Sequence, residues 1–131
     1  MTVPVVLAEA HPVTRAALTA LLGEDGDLRV VPTADLGDAL PAVVRHGAPV
    51  LIVSRRLLER HAAGVRLPER LPAGTRTIVI GLEDDPVFAR DARRAGAVAY
   101  VVTDRADPEL RAALDAVLAE MALKTTLPLS A

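Results

Sequence analysis

Five short apolar runs recur along the chain: Val3 to Ala8, Leu28 to Thr33, Pro49 to Ser54, Thr77 to Gly81, and Val98 to Thr103. Most are continuously apolar and rich in Val and Ile. A strand solvated on one face alternates polar with apolar, whereas a strand covered on both faces does not. The runs therefore predict a parallel sheet sandwiched between helices.

The intervening segments carry helical punctuation. His11-Pro12, Asp85-Pro86 and Asp107-Pro108 each place a capping-type residue before a proline at the first helical position, where a missing N–H costs nothing. Gly23, Gly47 and Gly96 stand where the first, second and fourth helices should stop. The last helix gathers Leu110, Leu114, Val117, Leu118 and Met121 on one stripe. Gly64, Pro68 and Pro72 fall between Ala62 and Gly74, so the third helix should be short or irregular. Five strands alternating with five helices predict an α/β fold, a (βα)5 doubly wound parallel sheet of flavodoxin-like strand order 2-1-3-4-5. Any site should then lie beyond the carboxyl ends of the strands, at Ala8 to His11, Ser54 to Leu57, Gly81 to Asp85 and Thr103 to Arg105.

Composition narrows the chemistry. With 131 residues there is room for one compact domain and little more. One Phe, one Tyr and no Trp leave an aliphatic core and no aromatic platform for stacking bases. A net charge of −2 gives no general attraction to nucleic acid or anionic membranes. Absence of Cys removes thiol catalysis and Cys-based metal sites. The start Met1-Thr2-Val3-Pro4 carries no signal peptide, and no apolar run approaches the roughly 20 residues that span a bilayer. The domain is expected to be soluble and cytoplasmic, with no membrane partner and no cofactor.

At the strand ends the chain resembles the receiver domains of NarL/FixJ-type response regulators. Val5-Val6-Leu7-Ala8-Glu9-Ala10-His11-Pro12, with Arg15 and Leu18, resembles that family's first strand, acidic pair and first helix. Ala95-Gly96-Ala97-Val98-Ala99-Tyr100-Val101-Val102-Thr103-Asp104 resembles its fourth-helix exit and fifth strand, and Asp107-Pro108-Glu109-Leu110 its last-helix start. The likeness covers Val3 to about Leu123. It implies a receiver-like domain over residues 1–123 and a linker over 124–131, leading to a C-terminal helix-turn-helix domain that this chain lacks; Leu129-Ser130-Ala131 is similar to the approach to a LuxR-type one.

The family pattern also marks where this chain departs from it. An acidic pair and a third-strand aspartate hold Mg²⁺ in such receivers, and that aspartate accepts phosphate. A Ser or Thr ending the fourth strand and a Lys ending the fifth bind the phosphoryl oxygens. The corresponding positions here are Glu9 and Ala10, Ser54, Gly81 and Thr103, so only Glu9 keeps its chemical type. Mg²⁺ wants several oxygen ligands, and phosphoryl transfer needs the metal and a fixed cation. The resemblance thus implies a pseudo-receiver with a degenerate pocket, no metal and no phosphorylation. The bland reading of Ser54 is a small polar residue at a strand end.

Further candidates surround that pocket. Arg55 and Arg56, followed by Arg60, His61, Arg66 and Arg70, make the segment after Ser54 basic. Arg55 and Arg56 are candidate anion contacts, or an Arg reaches Glu9 and locks the pocket; the alternative is a solvated face. Tyr100 holds the position of the family's switch aromatic, and Gly81 leaves room for it to turn inward. His11, His46 and His61 have no partners at metal-ligand spacing. Glu83-Asp84-Asp85 is explained by capping and the helix dipole. No nucleophile–base pair supports an enzyme, and no Gly-rich phosphate loop follows the first strand.

Two functions follow as expectations. The first is a phosphorylation-independent regulatory receiver of a transcriptional response regulator. It would act as a homodimer through the fifth helix with the first or fourth, or through protein contacts, reaching DNA only through the missing domain. The second is a sensor in which a small molecule, an anionic metabolite, occupies a pocket of Ser54, Arg55, Gly81 and Thr103.

Overall fold

The computed structural model describes residues 2–61 and 71–126. The elements run β1 (Val3–Ala8), α1 (Pro12–Gly23), β2 (Leu28–Thr33), α2 (Leu36–His46), β3 (Val50–Ser54), α3 (Arg55–His61), β4 (Arg76–Gly81), α4 (Pro86–Arg94), β5 (Ala99–Val102) and α5 (Ala106–Thr126), with a 3-10 turn at Thr103–Arg105. All neighbouring strands are parallel, in the order β2-β1-β3-β4-β5. The flavodoxin-like expectation holds.

Strand geometry explains why the runs are continuously apolar. Successive side chains point to opposite faces, and each face meets a helical layer. Val5 and Leu7 join Ile52, Ile78, Ile80 and the α1 and α5 residues Leu18, Leu22, Leu110, Leu114 and Val117. Val6 and Ala8 join Leu51, Val53, Val79 and, from α2, α3 and α4, Ala39, Val43, Leu58, Phe88 and Ala92. Every residue of β3 is buried, as befits the central strand.

The caps mostly follow the punctuation. His11 and Asp85 cap α1 and α4, their side chains accepting from the Thr14 and Phe88 amides at 3.3 and 3.0 Å. Gly47 ends α2 in the left-handed conformation with φ 58°, and Gly96 adopts φ 115° after α4. Gly23 differs: it is the last residue of α1 and has no positive φ. Asp107 differs too. The 3-10 turn at Thr103–Arg105 leads straight into α5 at Ala106, which places Asp107 and Pro108 inside the first turn instead of at its border.

Helix α3 starts at Arg55, directly on the last residue of β3, and is seven residues long. Gly64, Pro68, Arg66 and Arg70 lie outside the described residues, as does the side chain of His61. Helix α5 continues through Thr126, beyond the boundary expected after residue 123. The rest of the expected linker, 127–131, is outside the described residues.

Candidate functional site at the strand ends

The parallel sheet brings the four expected segments to one edge. Ala8 pairs in register with Val53, so Glu9 and Ser54 are the next positions along β1 and β3. Gly81 pairs with Val102 at the end of β4 and β5, one residue before Thr103. Together they open onto a cleft of about 250 Å³, lined by Glu9, Ser54, Arg55, Arg56, Gly81 and Thr103 among others. Ala10 is half-buried against the α2–α4 layer and does not line it.

The polar residues at these strand ends have taken up structural roles. Ser54 is 7% exposed, and its Oγ accepts the Leu57 amide at 3.3 Å, satisfying one of the free N–H groups at the start of α3. The Thr103 hydroxyl donates to the Gly81 carbonyl at 2.9 Å, tying the ends of β4 and β5. Glu9 is 6% exposed and accepts the His11 amide at 3.3 Å. Arg15 bonds the backbone carbonyls of Glu9 and Ala10, at 3.0 and 3.4 Å, and not the Glu9 carboxylate.

Tyr100 fills the space above Gly81. A Cβ built on Gly81 would overlap the Tyr100 hydroxyl and stand 2.6 Å from its Cζ. The hydroxyl donates to the Glu83 carbonyl at 2.7 Å, so the ring is held across the end of β4. Glycine is needed here for the close approach, not for its backbone freedom. The room anticipated for an inward Tyr100 is occupied.

Arg55 corrects an expectation. It does not reach Glu9; it bonds Asp85 at 3.0 Å and Glu59 at 3.4 Å. Its guanidinium also lies 3.9 Å from the centroid of Phe88, whose ring centroid is 5.3 Å from that of Tyr100. The start of α3, the start of α4 and β5 are thereby clasped through one stack. Burial works against the Arg55 charge, but the bond to Asp85, with the Tyr100 hydroxyl and Glu59, outweighs it and raises the guanidinium pKa. The Phe88 amide, followed by Arg55, holds the Asp85 carboxyl below its ordinary range. With two carboxylates on it, Arg55 is not a free anion contact. Arg56 lines the cleft and is exposed.

No protein-family model matches the chain. It is 31% identical over 116 residues to the transcriptional regulatory protein UhpA of Salmonella typhimurium, and 30% identical to UhpA of Escherichia coli K12. Each match covers 88% of this chain and 58% of the relative, so the chain spans little more than half the length of these curated relatives. The chain is thus similar to these transcriptional regulators over most of its own length. The fold is shared with the signal receiver domain of the putative response regulator NarL from Mycobacterium tuberculosis, with TM-score 0.67, 24% identity, and coverage of 88% of this chain and 96% of that one. A LuxR-family two-component response regulator from Aurantimonas sp. SI85-9A1 gives TM-score 0.71 at 22% identity, covering 92% and 87%.

The Mg²⁺ that the resemblance to receiver domains implies does not fit the residues present. Among the described residues no three of His, Asp and Glu converge as a metal site. Ala10 brings a methyl group where a second carboxylate would stand, and Thr103 a hydroxyl spent on a backbone carbonyl.

Phe88 and the Arg55–Asp85 pair went unnoticed in sequence. A signal existed: Phe88 and Tyr100 are the chain's only Phe and Tyr, and both fall on elements flanking β4.

Proposed function

We propose that this chain is a receiver domain, the phosphorylation-independent regulatory domain of a transcriptional response regulator. One observation carries the reading: Tyr100 occupies the volume above Gly81 where a fourth-strand side chain would stand, and its hydroxyl is bonded to the Glu83 carbonyl. A switch hydroxyl at Gly81 and an inward ring at Tyr100 cannot coexist in this arrangement. The ring therefore stays in, and the face built from β4, α4 and β5 has one state to offer partners.

Signalling then runs through constant contacts. The proposed interface is a homodimer using α5 with α1 or α4, with DNA reached through a helix-turn-helix domain after the α5 segment. Ala112, Ala116 and Ala119 recur on the exposed side of α5, and small side chains let two helices approach closely. The test is to titrate Mg²⁺ and beryllofluoride, a phosphoryl mimic, while following sedimentation and Tyr100 fluorescence. Neither should change. A shift in oligomeric state on adding the mimic refutes the reading, and a monomer at high micromolar concentration refutes the dimer.

The anionic-metabolite reading finds no support at Arg55, which Asp85 and Glu59 already engage. No helix among the described residues is long and apolar enough to cross a membrane.

A further inference from the structure

The strand-end cleft has a polar balance opposite to the one its arginines imply. Glu9, Glu59 and Glu83 line it against Arg55 and Arg56, and Arg55 is neutralised by Asp85 and Glu59. Glu9 is 94% buried, and of the hydrogen bonds its carboxylate can accept, the structure shows one, from the His11 amide at 3.3 Å. No ion pair reaches it among the described residues. The Glu9 carboxylate therefore faces the cleft without a counter-charge, and a cation entering the cleft is attracted to it more strongly than in bulk water.

The other walls narrow what that cation can be. The Ser54 and Thr103 hydroxyls are held by the Leu57 amide and the Gly81 carbonyl, and each oxygen keeps capacity to accept a further hydrogen bond. Carboxylate and two hydroxyls match the three N–H donors of an ammonium group. They are too few hard oxygen ligands for Mg²⁺. Ile80 and Leu82 supply apolar wall, and Leu82 remains 63% exposed. Val13 and Val87 carry further apolar surface at the neighbouring helix starts, 71% and 58% exposed. The cleft, at about 250 Å³, falls below the roughly 300–1,000 Å³ typical of drug-sized ligands and suits a short unbranched stem.

We propose that this cleft binds a primary ammonium group on an aliphatic stem, with Glu9 as its counter-ion. The inference rests on the reading that the pocket takes neither phosphate nor Mg²⁺. Two sources share this chemistry: a free alkylamine, and a lysine side chain presented by a partner protein whose apolar neighbours would meet Leu82, Val13 and Val87.

The experiment follows backbone amide shifts by NMR in the intact chain. n-Pentylamine is titrated against 1-pentanol, which has the same stem without the charge. A short peptide with Lys between apolar residues is titrated against its Nε-acetylated form. Saturable shifts at Glu9, Ser54, Gly81 and Thr103 are expected with the charged member of a pair and not with its neutral control. A response to pentylamine assigns a free amine, and a response confined to the peptide assigns a lysine. Glu9→Gln should weaken binding at least tenfold, while Glu9→Asp, which keeps the charge, should retain most of it. Absence of saturable shifts with both amines overturns the proposal, as does equal binding by a folded Glu9→Gln. Mg²⁺ with beryllofluoride is titrated in a separate sample. Binding there overturns phosphorylation independence whatever the amines do.

Discussion

Replacing Gly81 by Ala tests the Tyr100 arrangement with one methyl group. The backbone of Gly81 has no positive φ, so alanine brings no conformational strain. The methyl itself overlaps the Tyr100 hydroxyl and stands 2.6 and 2.8 Å from Cζ and Cε1. The ring must leave. It then gives up the hydrogen bond to Glu83, which contributes about 0.5–1.5 kcal/mol, and its packing on Phe88, about 0.5–1.5 kcal/mol. Against this, alanine restricts the unfolded chain and returns about 0.4–1 kcal/mol. The net expectation is a destabilisation of about 1–2 kcal/mol, or a Tm lower by about 3–8 °C for a domain of this size.

The assay is unusually direct because Tyr100 is the only tyrosine and the chain has no Trp. Intrinsic fluorescence and its quenching by acrylamide report this ring alone, and Gly81→Ala should make it more accessible. Urea denaturation supplies the energy, and a double-mutant cycle with Tyr100→Ala supplies the decisive sign. Without the ring, the methyl meets no hydroxyl, so Gly81→Ala should stabilise by about 0.4–1 kcal/mol. If it destabilises equally in both backgrounds, the cost lies elsewhere and the reasoning about Tyr100 fails.

Three other outcomes follow from the same geometry. Stability should fall on acidification below about pH 4, because Asp85 has a folded pKa below its unfolded value: its contribution is present above the unfolded pKa and is lost as pH drops through the folded one. Urea midpoints across that window should show a shallower loss in Arg55→Gln, though not none, since the Phe88 amide bond remains. Gly47→Ala should cost about 1–2 kcal/mol, as an L-residue must adopt φ 58° there, whereas Gly23→Ala, helical and with open space around its Cβ, should add about 0.5–1 kcal/mol in the same denaturation assay. Leu110→Ala, at a site 1% exposed under the sheet, should cost about 2–5 kcal/mol by urea denaturation.

The fold was legible because the inner strands β1, β3 and β4 had to be apolar on both faces, which suppresses alternation and leaves a signal that local pattern carries by itself. Prolines after His11 and Asp85 added helix starts for the same reason: their constraints act within a few residues. Asp107-Pro108 misled because the 3-10 turn at Thr103–Arg105 already carries the chain into α5, and nothing in the dipeptide announces that. The pocket positions were legible too, since strand ends in a known order fix which residues meet. What they do on meeting was not. In sequence terms Glu9 is the candidate partner for an arginine here, and only the placement of α4 selects Asp85, thirty residues on.

That choice of partner changes what the altered pocket means. Read as a row of substitutions, Ala10, Ser54, Gly81 and Thr103 describe only losses. In the folded chain Ser54 caps α3, Thr103 ties β4 to β5, and Gly81 admits Tyr100. Arg55 then reaches over Phe88 to Asp85 and closes the same end of the sheet from the other side. These contacts reinforce one another, for the ring that Gly81 admits is the ring against which Phe88 packs, and Phe88 is the surface on which Arg55 rests. Restoring one family residue would therefore not restore a switch. A hydroxyl at position 81 would evict Tyr100 while finding no phosphate to move toward, and an aspartate at position 54 would stand beside Glu9 with no lysine at position 103. The Glu9 carboxylate has only the His11 amide and no counter-charge among the described residues, which is why the cleft it faces is where a signal of different chemistry would enter.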